Sequence, residues 1–192
     1  MLNEKEIVWN LVGFYDDGKP KGSCNEYGEI LGGIKELNSI QKPQSVVIAI
    51  GKPATAKNVV SKITNPHVLF PNIISPDTIF FDQDNTQFGK GNIITVNCTF
   101  SCNVKIGDFN IFNSFITIGH DTVIGDFNSM MTSVKIAGEV VIGNENYFGS
   151  TSAVLQQVHI GNNTTIGSNS TIIRNTKDGN TYMGSPGTIV KF

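Results

Sequence analysis

The sequence predicts a parallel β-helix, expected to wind left-handed, preceded by a small Rossmann-like α/β unit. Three observations carry this reading. First, from Ile94 to Ile172 every sixth residue is apolar: Ile94, Phe100, Ile106, Phe112, Ile118, Ile124, Met130, Ile136, Ile142, Phe148, Val154, Ile160, Ile166 and Ile172. At 39% apolar composition a chosen register would meet that by chance about twice in a million. Second, half of these positions are followed by Gly (107, 119, 125, 143, 149, 161, 167), and two residues before each lies a small, β-branched or Asn residue, from Cys98 to Ser170. Third, the chain before about residue 75 lacks the six-residue rhythm and alternates strand-like and helix-like stretches.

A strict period of six cannot be helical, because 3.6 does not divide it, whereas the two-residue strand period does. The unit is therefore a short strand and a turn. Three units make a triangular coil of about 18 residues, and stacking coils turns each apolar position into an internal ladder. Gly beside the aliphatic residue is expected to let the chain turn a corner without a Cβ clash. The repeat is expected over about 80–175, roughly five coils, with residues 178–192 as a closing loop and cap. The recurrence of Asn110, Asn128 and Asn146 at 18-residue intervals predicts a stacked Asn ladder on one side of the triangle.

In the first part of the chain, 7–15 (IVWNLVGFY) reads as a strand ending in the Asp16-Asp17-Gly18 turn signal. A short helix is expected over 34–40, a strand over 45–50, a helix over 54–63 and a strand over 68–70. Pro66, Pro71 and Pro76 punctuate the passage into the repeat. This predicts domains over 1–75 and 76–192.

Composition excludes several classes. Fourteen basic and sixteen acidic residues leave a net charge of -2 with no basic cluster, so nucleic acid is not an expected partner. No apolar run approaches the roughly 20 residues of a membrane helix, and residues 1–10 do not read as a signal peptide. Three cysteines cannot all pair, which fits a reducing, cytoplasmic setting.

The chemistry-bearing residues cluster around His120, in NSFITIGHDTVIGD (113–126), beside Asp121 at a corner position rather than in an inward column. Together with GFYDDG (13–18), AIGKP (49–53), KIAGEVVIG (135–143), YFGSTSAVL (147–155) and MGSPG (183–187), this segment resembles the NeuD-like bacterial sugar acyltransferases over nearly the whole chain. The resemblance implies transfer of an acyl group, usually acetyl, from acetyl-CoA to a sugar amine or hydroxyl, with no metal. It implies His120 as general base and Asp121 as the carboxylate that orients it. It implies Asn113 near the thioester, the Gly138 backbone N–H as oxyanion donor, and Ser150 and Ser168 along the pantetheine arm. Asp16, Asp17 and Lys19 match the nucleotide-binding turn of the family, Gly51 and Lys52 its second nucleotide loop. A homotrimer with sites between subunits is implied as well. The family pattern begins with a strand and a Gly-rich loop that this sequence starts after, so that half of the pocket is expected to be incomplete. Gly119 stands where an acidic residue often precedes the histidine.

Other readings of the same residues are plainer. His159, between Val158 and Ile160, should point outward, and His67 after Pro66 reads as a loop residue. Zinc held by three histidines is not expected, since 120 and 159 are 39 residues apart, not a whole number of coils. Cys98 and Cys102 read as packing residues. The same chemistry on serine or a simple sugar would leave Asp16–Lys19 unused, and a non-catalytic trimeric scaffold would be expected to repeat one outward residue along a face.

Overall fold

The computed structural model describes residues 9–190. The chain divides into two compact units, one formed by residues up to 47 together with 57–71, the other by 48–56 together with 72 onward.

In the first unit, β3 (Gly28–Gly32) pairs in parallel with β1 (Phe14–Tyr15) and antiparallel with β2 (Cys24–Asn25), and β4 (Gln44–Ser45) pairs in parallel with β5 (Val68–Leu69). The strand expected over 7–15 is formed only at Phe14–Tyr15, and its first two residues lie outside the described residues. The hairpin of β2 and β3 was not anticipated. Its turn is closed by Asn25, whose Oδ1 accepts the N–H groups of Tyr27 and Gly28 at 2.8 and 3.0 Å. Helix α1 (Ile34–Leu37) and helix α2 (Pro53–Lys62) fall where helices were expected. The strand expected over 45–50 is corrected to Gln44–Ser45 alone. β5 is two residues long, and only Val46 N–H continues the pairing, to Leu69 C=O.

The second unit is the β-helix. Its first face stacks strands from Ile73–Ile74 through Thr165–Ile166, its second from Ile79–Phe80 through Thr171–Ile172, and its third from Gln87–Phe88 through His159–Ile160, all in parallel. All fourteen residues of the predicted apolar column are buried, and so are all thirteen of the column two residues earlier. The coils begin earlier than expected. Ile73 pairs with Ile93 and Ile79 with Thr99, a 20-residue spacing, while Gln87 pairs with Lys105 at 18. Two extra residues between Phe80 and Gln87 break the period, which hid this coil. Phe80, Phe88, Phe100 and Phe112 fill the core here, with ring centroids 5.3–5.9 Å apart. At the other end, Thr181–Met183 adds to the first face and turns back antiparallel as Thr188–Val190, the expected cap.

The turning of the corners differs from expectation. The glycines after the aliphatic residues do not carry the left-handed backbone. That falls two residues later, at Asn97, Asn103, Phe109, Phe115, Asp121, Phe127, Ser133, Glu139, Glu145, Thr151, Gln157, Asn163 and Asn169, with φ between 49° and 64°. Most of these residue types gain nothing locally from that conformation. From Phe109 onward they are held because each donates its N–H one coil back, as Asp121 does to Cys102 C=O (2.9 Å), while strand residues donate one coil forward, as Thr99 does to Ile116 C=O (2.8 Å). The glycines are instead required by coil stacking: a Cβ on Gly107 would lie 2.8 Å from Gly125 O, and one on Gly119 would lie 2.5 Å from the carbonyl carbon of Ala137.

The Asn ladder is present and longer than expected. Asn72, Asn92, Asn110, Asn128 and Asn146 each accept, through Oδ1, the backbone N–H of the next rung, which ends at Thr164, at 2.7–3.0 Å. From Asn92 onward these side chains are fully buried, and the ladder gives each Oδ1 a partner, while Asn146 Nδ2 has none among the described residues.

Candidate active site

His120 occupies the corner between the second and third faces, two residues beyond the buried Ile118. Its Nδ1 lies 2.8 Å from Asp121 Oδ2, with both side chains about half exposed (49% and 51%). Adjacent residues can meet this way because Asp121 adopts the left-handed conformation, φ 56°. Asn103, one coil back, donates from Nδ2 to the other carboxylate oxygen at 3.1 Å. The hydrogen bond from His120, then that from Asn103, hold the Asp121 carboxyl below the usual Asp range. An ionised carboxylate only accepts, so a hydrogen sits on Nδ1, and in the neutral imidazole the lone pair is on Nε2.

Gly138 lies one coil forward, directly against that ring. A Cβ on Gly138 would meet Nε2 and would sit 2.7 Å from Cε1 and 2.8 Å from Cδ2. The imidazole therefore takes the space a side chain at 138 would fill. The peptide groups around it are largely committed, Gly138 C=O to Gln157 N–H (3.1 Å) and Glu139 N–H to His120 C=O (2.7 Å). Among the described residues the Gly138 N–H has no acceptor. An unprotonated ring nitrogen beside an uncommitted N–H is suited to removing a proton and stabilising an oxyanion together. The constraint also explains Gly119: the Gly138 nitrogen occupies the space of its Cβ.

Glu139, Gln156, Gln157 and Asn103 were not singled out from the sequence. Glu139 accepts from Gln156 Nε2 at 2.7 Å and Gln157 Nε2 at 2.9 Å, and these bonds, Gln157's first, hold its carboxyl below the usual Glu range. The signal that could have found them is the 18-residue register, 103, 121, 139, 157 through Asp121 and 120, 138, 156 through His120.

Asn113, Ser150 and Ser168 stand on a different corner, between the first and second faces. Asn113 Nδ2 donates to Met130 C=O at 3.1 Å and lies 3.6 Å from Met131 Sδ, while the buried Cys98 thiol donates to Asn113 C=O at 3.1 Å. Ser150 and Ser168 are successive rungs of this corner, with Asn169 N–H bonded to Ser150 C=O at 2.9 Å. Within one chain these three residues are not brought to His120.

In the first unit, a cavity of about 260 Å³ is lined by Asp16, Asp17, Lys19, Lys21, Gly32, Gly33 and Glu36. The expected Asp16, Asp17 and Lys19 thus line one concavity, joined by Lys21 and Glu36. Two of the carboxylates have structural partners: Asp17 Oδ1 accepts Ile34 N–H and Glu36 Oε2 accepts Gly33 N–H, both at 2.8 Å, completing the start of α1. Asp16 Oδ1 closes its own turn onto Gly18 N–H at 2.8 Å. The exposed cations of this pocket are Lys19 and Lys21. Gly51 and Lys52, in the other unit, are exposed at the start of α2, where Lys52 C=O accepts Thr55 and Ala56 N–H at 3.0 Å. His159 and His67 are exposed, as expected. Among the described residues no group of three His, Cys, Asp or Glu side chains could hold a metal, and no helix is long and apolar enough to cross a membrane.

The six-residue units are those of a hexapeptide-repeat β-helix. Residues 139–174 match the bacterial transferase hexapeptide family, and residues 2–63 match the PglD N-terminal domain. Both modules occur in that order, the arrangement that the NeuD-like resemblance implies. No curated protein sequence matches. Among solved structures, the acetyltransferase domain of PglB from Neisseria gonorrhoeae FA1090, bound to acetyl coenzyme A, superposes with a TM-score of 0.86 at 23% identity, covering 95% of this chain and 88% of that one. WeeI from Acinetobacter baumannii AYE gives 0.85 at 23% identity, covering 93% and 85%. PerB from Caulobacter crescentus, in complex with CoA and GDP-perosamine, gives 0.81 at 21% identity, covering 86% and 80%.

Proposed function

We propose that this chain transfers an acyl group, acetyl in the first instance, from acyl-CoA to an amine or hydroxyl of a sugar or nucleotide sugar. The observation that carries the proposal is the His120–Asp121 pair with its free Nε2 set beside the uncommitted Gly138 N–H. The acceptor N–H or O–H attacks the thioester carbonyl as Nε2 takes its proton. The new C–N or C–O bond forms, the C–S bond breaks, and the imidazolium returns the proton to the departing CoA sulfur. Asp121 stabilises the imidazolium and keeps the ring in the productive tautomer. Gly138 N–H supports the oxyanion.

Asn113, Ser150 and Ser168 are assigned to the acyl-CoA, and Asp16, Asp17, Lys19, Gly51 and Lys52 to the acceptor nucleotide. Asn113 and His120 are seven residues apart along one face, roughly 20 Å of extended chain. A homotrimer in which a neighbouring copy sets its Asn113 corner beside His120 would assemble one site from two chains. The bound acetyl coenzyme A of PglB and the CoA and GDP-perosamine of PerB support this choice of ligands.

The test is calorimetric titration with acetyl-CoA, then UDP and GDP, followed by thiol release in the presence of amino-sugar nucleotides. Micromolar acetyl-CoA binding and thiol release that depends on the acceptor are expected. Failure to bind acetyl-CoA at millimolar concentration would remove the reading.

A further inference from the structure

At the His120 corner the left-handed positions form a column: Asn103, Asp121, Glu139 and Gln157. Side chains in this column bond from coil to coil, Asn103 to Asp121 at 3.1 Å and Gln157 to Glu139 at 2.9 Å. Between Asp121 and Glu139 no bond is made, because two carboxylates offer no donor to each other. The column is thus split in two, and the split falls at the level where His120 packs on Gly138. Below it, Asn103 and Asp121 hold the imidazole. Above it, Gln156 and Gln157 hold Glu139, one amide on each carboxylate oxygen.

Glu139 is bonded through its backbone to Gly138, and its φ of 59° is a conformation that an L-residue leaves when nothing retains it. Its N–H goes down to His120 C=O and its carboxylate goes up to two side chains. The peptide that follows Gly138, from its C=O to the Glu139 N–H, is therefore pinned from both sides, and it fixes the Gly138 Cα from which the uncommitted N–H projects. The charged and titratable groups around the imidazole are Asp121 on its own corner, Glu139 one coil forward and the Cys102 thiol at the same corner position one coil back, while Gln156 and Gln157 are neutral.

We propose that Glu139, clamped by Gln156 and Gln157, is a positioning residue that fixes the Gly138 N–H against the acyl carbonyl. This rests on the acyl-CoA reading above. It makes the two halves of the split column serve two tasks, the lower orienting the base and the upper orienting the oxyanion donor.

The test uses acetyl-CoA labelled with 13C at the acetyl carbonyl, bound to the full chain, so no acceptor is needed. A carbonyl that accepts a hydrogen bond from Gly138 resonates downfield of free acetyl-CoA. In E139A and in Q156A/Q157A the downfield displacement is expected to shrink, with acetyl-CoA Kd within about twofold of wild type. With an acceptor in hand, kcat falls about tenfold at unchanged acetyl-CoA KM. The double glutamine variant leaves Glu139 in place, so the readout stands even where E139A folds poorly. Equal displacement in wild type, E139A and Q156A/Q157A overturns the positioning role while leaving the acyltransferase reading intact. No binding of labelled acetyl-CoA by the wild-type chain overturns both.

Discussion

Nδ1 of His120 and Oδ2 of Asp121 are 2.8 Å apart although both side chains are about half exposed to solvent. An exposed ion pair or hydrogen bond of this kind contributes little to stability. It persists here because the left-handed backbone at Asp121 turns neighbouring side chains toward each other and Asn103 holds the far carboxylate oxygen. The geometry serves the imidazole's orientation more than the fold. His120→Ala is therefore expected to lower kcat by about 10² to 10⁴ while leaving acetyl-CoA affinity and Tm nearly unchanged. Steady-state kinetics beside calorimetry would check this, and wild-type turnover in the variant would remove His120 as the base.

Asp121→Asn keeps the size of the side chain but lets it donate to Nδ1, which favours the tautomer with the hydrogen on Nε2. A loss of kcat of about 10- to 100-fold is expected, smaller than for a buried triad because water also solvates this pair. Since its partners keep the Asp121 carboxyl below the usual Asp range, it stays ionised at and above pH 5. Its own protonation therefore contributes no limb to a kcat/KM profile measured between pH 5 and 9. A limb in that range that vanished in Asp121→Asn, with the others kept, would contradict this.

Much of the β-helix was legible because its apolar column is a property of residue type: Ile, Val, Phe and Met recur wherever the chain points inward. The Asn ladder was legible for the same reason. The left-handed column was not, since Phe115, Glu139 and Gln157 have no local preference for that backbone and adopt it only through bonds to the coil before. The coil at Ile73 was hidden by two inserted residues. At the site, His120 and Asp121 could be read because they are adjacent, whereas Asn103 and Glu139 join them only through the 18-residue stacking. The hairpin Cys24–Gly32 was missed because its turn, closed by an Asn25 side chain, falls outside the Gly- and Pro-rich signals used.

Asn128 accepts Asn146 N–H and donates to Asn110 Oδ1 and Gly143 C=O, all at 3.0 Å, in the buried ladder. Asn128→Ala strands several of these groups away from water. Each stranded group costs about 1 to 3 kcal/mol, so a loss of about 2 to 4 kcal/mol is expected. Thermal unfolding should show a Tm drop of several degrees. A Tm within one degree of wild type would mean that water enters the core and replaces the amide.

Asp178 accepts Asn162 N–H at 2.8 Å and Asn162 Nδ2 at 3.1 Å, fastening the last corner rung of the coils. The backbone bond first, then the side-chain bond, hold its carboxyl below the usual Asp range. A depressed folded value means that the bond's stabilisation is fully present above the unfolded Asp range and is lost as pH falls through the folded value. Tm is expected to fall below about pH 4. In Asp178→Asn it should start lower at pH 7 and fall less steeply on acidification. Parallel acid profiles for the two proteins would show that this carboxylate does not contribute.

Two glycines of the same repeat should respond differently to the same change. A methyl group on Gly107 would meet backbone, 2.8 Å from Gly125 O and 2.9 Å from the Gly125 carbonyl carbon, closer than real Cβ contacts come. Coils cannot separate locally without breaking the hydrogen bonds on either side, so Gly107→Ala is expected to cost about 1 to 3 kcal/mol and lower Tm. A methyl group on Gly138 would instead meet the half-exposed imidazole, 2.7 Å from Cε1, and the ring can swing into solvent. Gly138→Ala is thus expected to leave Tm nearly intact and to lower kcat at least tenfold, by taking Nε2 away from the Gly138 N–H. Scanning calorimetry and kinetics on the pair would separate the two roles. If Gly138→Ala lowered Tm as much as Gly107→Ala and kept its kcat, the glycine at 138 would be a stacking residue like the others, and the imidazole would not depend on its place there.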